Sequence, residues 1–375
     1  MLRDRVSNRV RRLNEVAMPG HLMFGPKRVV LGVNNFCNMR CVMCDVGTGN
    51  PETNFGGNLT GSKLKSMPWE TFKRVADDTH ALWPKAHMAI VYTEPLIWPL
   101  IGKALHYAGE RGQWASVTTN GLLLSRWAKE IAAARCKGVG VSLDGPEEVH
   151  DRIRRKPGSF TKAVEGIEAL LSQPNPPKVE VYCAISEYNV GSLGRLLDDL
   201  RRLPLHRVGL IHTNFVTAKQ ALDHNRDFGD VVHATPTNVF EVDPSRVDVE
   251  RLSEELQQIL AARYPFEVIV NPKFTSVEDL TVYYKHPEIP VGRACRDAFN
   301  SLMVDSDGEV VPTHGRCYRF PVMNIHDGGL GRAWNHEKIV HLRKELSRSG
   351  LMPACTRCTA AFYGKPPRRE THSFG

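Results

Sequence analysis

Strand-like apolar runs alternate with helical patterns through the first 219 residues, and this rhythm constrains the fold more than any other feature. The runs lie at Arg28–Val33, His87–Tyr92, Ala115–Thr119, Val139–Leu143, Val179–Ile185 and Val208–His212. Amphipathic stretches fall between them, among them Pro68–Leu82, Leu124–Ala133, Phe160–Leu171 and Val190–Leu203. Strand, helix and strand joined by short connections predict an α/β fold with a parallel sheet, because parallel neighbours need a crossover that covers the sheet. Six such units fit a partial (β/α)6 barrel of the TIM type, or a doubly wound sheet. In either, chemistry gathers at the carboxyl ends of the strands.

After Lys219 the rhythm breaks. Residues 220–246 read as polar and irregular, followed by a helix (Asp248–Arg263) and a short strand (Phe266–Val270). From Pro290 the chain changes character. Cys295 precedes SLMVDSDGEVVP, whose Asp307-Gly308 pair between apolar runs is a hairpin signal; Cys317, a helix around Trp334–Ser347 and Cys355-Thr-Arg-Cys358 follow. The expected division is a basic extension (1–27), a barrel (28–219), a connecting region (220–289), a small cysteine module (290–364) and a basic tail (365–375). In the connecting region His224, Asn225, Arg226, Asp227, Tyr283 and Tyr284 are expected to build a polar substrate pocket.

At 42% hydrophobic and 24% charged residues the chain falls within the globular range, which excludes wholesale disorder. It has no apolar run long enough to span a membrane, and MLRDRVSNRVRRLNEV lacks the apolar core of a secretory signal. A cytoplasmic, reducing location is expected. The net charge of +8 permits an anionic partner without demanding one, and no nucleic-acid partner is implied. Much of it sits at the ends: Arg3, Arg5, Arg9, Arg11 and Arg12 in front, Lys365, Arg368 and Arg369 behind. These read as solvated terminal charge, with a membrane-surface or acidic-partner contact as the alternative.

Nine cysteines in a reducing compartment point to metal ligands rather than disulfides. Two groups stand out. Cys37, Cys41 and Cys44, in FCNMRCVMCD after the first strand, have the spacing C-x3-C-x2-C. Three thiolates can wrap one face of an iron–sulfur cube, and a [4Fe–4S] cluster then keeps one iron open. The alternative is zinc with a distant fourth ligand. Cys295, Cys317, Cys355 and Cys358 form a closed set of four, sufficient for a full cluster or a structural zinc. Cys136 and Cys183 read as core thiols. Cys136 precedes the fourth strand, and strand parity turns Cys183 toward the helices.

With the triplet in place, the chain resembles the radical S-adenosylmethionine (SAM) superfamily. YTEPL after the second strand is similar to the family's GGEPL, with Tyr92 and Thr93 where glycines are usual. VTTNG (Val117–Gly121), VSLDGPEEVHDRIRRKPGSF and ISEYN match its later stretches, the long one resembling SIDG…HD.IRG…GSF. The resemblance implies that Cys37, Cys41 and Cys44 hold a [4Fe–4S] cluster whose open iron chelates SAM. It makes Glu94, Pro95, Asn120, Ser142, Asp144, Ser186 and Asn189 cofactor-binding candidates. His212 and Asn214 close the sixth strand and share a face; His212 reads either as a satisfied core residue or as lining the SAM or substrate pocket. The C-terminal region resembles the SPASM/Twitch module, with Thr313 where a Cys is common and Cys317 replacing it. His314 is an alternative ligand. This resemblance implies a second, auxiliary [4Fe–4S] cluster.

The implied activity is reductive cleavage of SAM to a 5′-deoxyadenosyl radical, which abstracts hydrogen from a substrate. An external one-electron reductant of the flavodoxin or ferredoxin type would supply the cluster. A small polar, carbohydrate- or cyclitol-like substrate is favoured, with net oxidation or epimerisation; no catalytic residue is assigned. The alternatives are a peptide- or protein-modifying maturase and a non-catalytic iron–sulfur protein.

Overall fold

A computed structural model describes residues 2–60, 63–313, 317–318 and 320–362. The basic tail and His314 lie outside the described residues, so the expectations about them are not addressed.

Seven parallel strands follow one another across one sheet: β1 (Arg28–Leu31), β2 (His87–Ile90), β3 (Ala115–Thr119), β4 (Gly138–Ser142), β5 (Lys178–Ile185), β6 (Arg207–His212) and β7 (Glu267–Asn271). Three more belong to the C-terminal region: β8 (Ser301–Val304), β9 (Glu309–Val311) and β10 (Met323–Asn324). Among the described residues the order is β10-β9-β8-β1-β2-β3-β4-β5-β6-β7. The expected six-strand barrel is therefore extended at both edges. β7 pairs in parallel with β6, and β8 pairs in parallel with β1, Arg28 standing opposite Ser301. The cysteine-bearing C-terminal region is thus not a detached module, because its hairpin continues the barrel sheet and covers the β1 edge.

Along β5, Val179, Val181, Cys183 and Ile185 are buried in the layer between sheet and helices, while Glu180, Tyr182 and Ala184 alternate onto the inner face. That is the period-2 pattern expected of a strand with two different faces. Cys183 is fully buried in the helix layer, as its parity requires. The Cys136 thiol donates toward the carbonyls of Ala115 (3.5 Å) and Gly138 (3.4 Å), at the amino ends of β3 and β4.

Several elements depart from expectation. The basic extension forms a helix, Leu2–Ala17, and docks on the C-terminal region. Asn14 Oδ1 accepts from Met23 N at 2.8 Å, Trp334 Nε1 donates to Phe24 O at 2.7 Å, and Arg296 pairs with Glu15. The stretch read as irregular begins with a helix, Ala218–Phe228, whose Thr217 and Gln220 form a reciprocal capping box. The expected Trp334–Ser347 helix is two, Gly329–Trp334 and Glu337–Ser349.

The expected polar pocket of the connecting region does not form from the residues named for it. Tyr283 and Tyr284 are buried, with their ring centroids 5.0 Å apart. His224 is buried and stacks on Tyr318 at 5.1 Å. Arg226 pairs with Asp227 on the surface. Tyr283 and Tyr284 belong instead to the main hydrophobic core.

Candidate cluster and cofactor site

The loop after β1 carries the cysteine triplet. Cys44 N donates to Cys41 O at 3.2 Å, folding the loop back on itself, and Val42 N donates to Ile153 O at 3.0 Å. Cys41 is buried; Cys37 and Cys44 are half-buried. Burial pushes the Cys37 thiol up to about 11 and the Cys41 thiol up to about 12. Each also feels its neighbouring cysteines, so three thiolates here require a compensating cation. An iron–sulfur cluster satisfies that requirement, and the three sulfurs leave its fourth iron to another ligand.

Asn120 Nδ2 approaches Cys37 Sγ at 3.8 Å and bonds Asn38 Oδ1 at 2.7 Å. On the other side Arg154 Nη1 approaches Cys41 Sγ at 3.7 Å.

The next strand end presents Glu94, fully buried. One carboxylate oxygen accepts from Leu96 N (2.9 Å) and Thr119 Oγ1 (2.7 Å), the other from Asn120 N (2.7 Å). Burial pushes its carboxyl pKa up, and these donors together with the Arg154 charge pull it back. Pro95 begins the short turn that follows. Asn34, unmarked in the sequence reading, donates to Glu94 O at 2.9 Å and joins the β1 and β2 loops.

Tyr92 (φ 67°) and Thr93 (φ 39°) keep the left-handed backbone that the usual glycines would supply. Arg155, at the Gly position of the IRG pattern, has φ 52°. Each such residue costs roughly 1–2 kcal/mol, so the loop shape is held by its contacts; Thr93 Oγ1 bonds Asn34 O at 3.2 Å.

The remaining candidates separate into two groups. Ser142 is half-buried at the end of β4, and Ser186 is buried after β5, its backbone N–H bonded to Asn189 Oδ1 at 2.9 Å. Asp144 and Asn189, expected to reach the cofactor, have their polar atoms engaged by the protein. Asp144 accepts from Arg154 Nε at 2.6 Å and from Ala184 N at 3.0 Å. Asn189 Nδ2 donates to the Asp144 and Ala184 carbonyls, both at 2.8 Å. These residues brace the ends of β4 and β5. His212 takes the core alternative: Nε2 donates to Phe274 O at 3.1 Å, leaving Nδ1 to accept from Tyr284 OH at 2.8 Å. Asn214 Oδ1 accepts from Thr359 N at 2.8 Å, tying the barrel rim to the C-terminal region.

Burial lowers the His212 pKa from 6.5 to about 4. The unfolded chain therefore binds an extra proton between those values. Its contribution to stability, about 3 kcal/mol at most, is complete above pH 6.5 and lost as pH falls toward 4. Urea unfolding at pH 7 and pH 4.5 should show this loss in the wild type and a smaller one in His212→Phe; equal losses of unfolding free energy in the two proteins would refute it.

The second cysteine set also converges. Cys295, Cys317, Cys355 and Cys358 line one cavity of about 60 Å³, bordered by Asn214, Thr237 and Asn238. Burial pushes the Cys295, Cys317 and Cys355 thiols up, and Cys317 feels the charges of the other three cysteines. Tyr318 OH lies 3.0 Å from Cys355 Sγ. Four thiols around one cavity are the donor set a full cluster takes, although among the described residues no three cysteine, histidine or carboxylate side chains close on a single metal ion. Asp45, also missed, links the two sites: it follows Cys44, is buried, and accepts from Asn238 N at 3.0 and 3.2 Å.

Residues 31–200 match the radical SAM superfamily, and residues 295–359 match an iron–sulfur cluster-binding domain, SPASM. Fe-coproporphyrin III synthase of Methanosarcina barkeri (strain Fusaro / DSM 804) is 28% identical over 202 residues, 52% of this chain and 47% of its own. Mycofactocin maturase MftC of Mycobacterium ulcerans (strain Agy99) is 27% identical over 164 residues, 42% of this chain and 39% of its own. The chain thus spans less than half the length of either relative. Streptococcus suis SuiB bound to S-adenosylmethionine shares the fold, with a TM-score of 0.59 at 14% identity over 93% of this chain and 75% of that one. No helix among the described residues is long and apolar enough to cross a membrane. The chain carries a radical SAM domain, with its [4Fe–4S] and SAM sites, followed by a C-terminal SPASM iron–sulfur domain.

Proposed function

We propose that the protein cleaves SAM reductively and uses the resulting 5′-deoxyadenosyl radical to take a hydrogen atom from a small polar substrate, whose oxidation would be completed by loss of a proton to solvent and of one electron to the cluster that the four-cysteine set would hold. What carries the reading is the meeting of the Cys37–Cys44 loop and Glu94 at adjacent strand ends, beside a separate four-cysteine cavity. When bound, the SAM cluster supplies the electron that breaks the sulfonium C–S bond, and a flavodoxin- or ferredoxin-type donor restores it. Glu94 offers its remaining acceptor capacity to the methionine ammonium, and Asn120 and Arg154 flank the cysteine sulfurs.

A chamber of about 400 Å³ at the carboxyl ends of β1 and β8 supports a polar substrate. It is lined by Asn34, Asn58, Lys63, Lys65, Asp305 and Asp307, groups of both charges that favour a ligand rich in hydroxyl or amino groups. Net oxidation is favoured over epimerisation because neither thiol outside the cysteine sets is placed as a hydrogen donor. Cys183 is buried in the helix layer, and Cys136 bonds carbonyls at the far end of the strands.

A modified peptide is the second reading, favoured by the similarity to the mycofactocin maturase. Anaerobic, reduced protein should yield 5′-deoxyadenosine from SAM. Turnover in deuterated buffer with candidate polar substrates should give a product two mass units lighter. A product carrying one solvent deuterium on carbon, otherwise unchanged in composition, would instead establish epimerisation.

A further inference from the structure

Arg154 brings a positive charge against a cluster cysteine, its Nη1 standing 3.7 Å from Cys41 Sγ. It is held there firmly. Its Nε donates to Asp144 Oδ2 at 2.6 Å, with side-chain exposures of 12% and 0%. Asp144 is in turn fixed by Ala184 N through its other oxygen, and Asn189 clamps the Asp144 carbonyl. The helix Glu147–Arg154 ends at Arg154, and the left-handed Arg155 turns the chain away immediately afterwards. A bond from Val42 N to Ile153 O locks this helix end to the cysteine loop. Four elements therefore serve to place one guanidinium against one sulfur.

A buried ion pair is expensive to assemble and weak as a source of stability. The pair is oriented so that the positive member faces the sulfur and the negative member stands behind it. A fixed positive charge in a desolvated site stabilises whichever state of a neighbouring group is more negative. A [4Fe–4S] cluster becomes more negative by one electron on reduction, and charge and hydrogen bonds at its sulfurs are established levers on its potential.

We propose that Arg154, positioned by Asp144, raises the reduction potential of the SAM-binding cluster through the Cys41 sulfur. This rests on the cluster reading above. Arg154 is a tuning residue and Asp144 its positioning residue; neither needs to touch SAM for the effect.

The test is an EPR-monitored redox titration of anaerobically reconstituted full-length protein without SAM, with the auxiliary cluster as internal reference. Arg154→Gln should move the SAM-cluster midpoint to a more negative value. The expected shift is at least a tenfold change in the reduced-to-oxidised ratio at fixed potential, 59 mV for one electron. Arg154→Lys should stay near wild type, and the auxiliary midpoint should not move in either.

Arg154→Gln leaves Asp144 buried and unpaired, so it is accompanied by Asp144→Asn/Arg154→Gln, which removes both charges. That double variant should also titrate below wild type. An unchanged SAM-cluster midpoint in folded, iron-loaded Gln variants overturns the proposal, even if SAM affinity falls. Equal shifts of both clusters overturn it as well. A wild type in which no signal depends on Cys37, Cys41 and Cys44 overturns the cluster reading itself.

Discussion

Replacing Cys37, Cys41 and Cys44 together by alanine should lower bound iron and sulfide from about eight to about four per chain. The argument is spatial. The triplet sits on the loop after β1, packed by Met39, Met43, Val149, Ile153 and Val242. The other four cysteines line their own cavity against the barrel rim. The sites touch through Asp45 and Asn238 without sharing a ligand, so emptying one should leave the other loaded. SAM cleavage should fall to background in the same variant, because the open iron is lost. Iron and sulfide analysis of reconstituted protein reads the first effect, and chromatography of 5′-deoxyadenosine the second. Four iron in the wild type and none in the variant would eliminate the auxiliary cluster; eight in both would eliminate the triplet as ligands.

Where the chain repeats a short local pattern, the sequence was readable. Ala115–Thr119 and Leu124–Ala133 fall as expected, because each buries one face at a regular period. The cysteine sets were readable for a similar reason: few other uses exist for unpaired thiols at such spacings. What escaped was non-local. Nothing in SLMVDSDGEVVP says that its first strand will pair in parallel with Arg28–Leu31, some 270 residues earlier. The helix at Ala218–Phe228 carried its signal in Thr217 and Gln220, but the polar surface residues that follow concealed it.

The hydrogen-bond partners at the site escaped the sequence for one physical reason: a buried polar group is satisfied by whatever lies nearest in space. Asp144 is satisfied by Arg154 and Ala184, His212 by Tyr284 and Phe274, and Asn189 by two carbonyls. Those partners come from other elements, and no spacing rule reveals them. Arg154 was visible as the Arg of the IRG pattern, with no role attached to it; its meaning comes from the sulfur it faces.

Glu94→Ala should be both strongly destabilising and defective in SAM binding. A carboxylate has about four acceptor positions. Leu96 N, Thr119 Oγ1 and Asn120 N occupy three, leaving about one for an incoming ammonium. Alanine strands three donors in a fully buried site, and each stranded donor costs roughly 1–3 kcal/mol, so a loss of about 3 kcal/mol or more is expected. Glu94→Gln separates the two roles. Its carbonyl oxygen can retain Leu96 N and Thr119 Oγ1, but its amide then turns a donor toward the Asn120 N–H and toward the ammonium. The Gln variant should therefore fold with a smaller loss, yet bind SAM at least tenfold more weakly, because the remaining acceptor has become a donor. Thermal unfolding of the reconstituted proteins and equilibrium dialysis with SAM measure the two effects independently. Wild-type SAM affinity in a folded Glu94→Gln protein would remove Glu94 from the cofactor site and leave it as the hinge between the β2 and β3 ends.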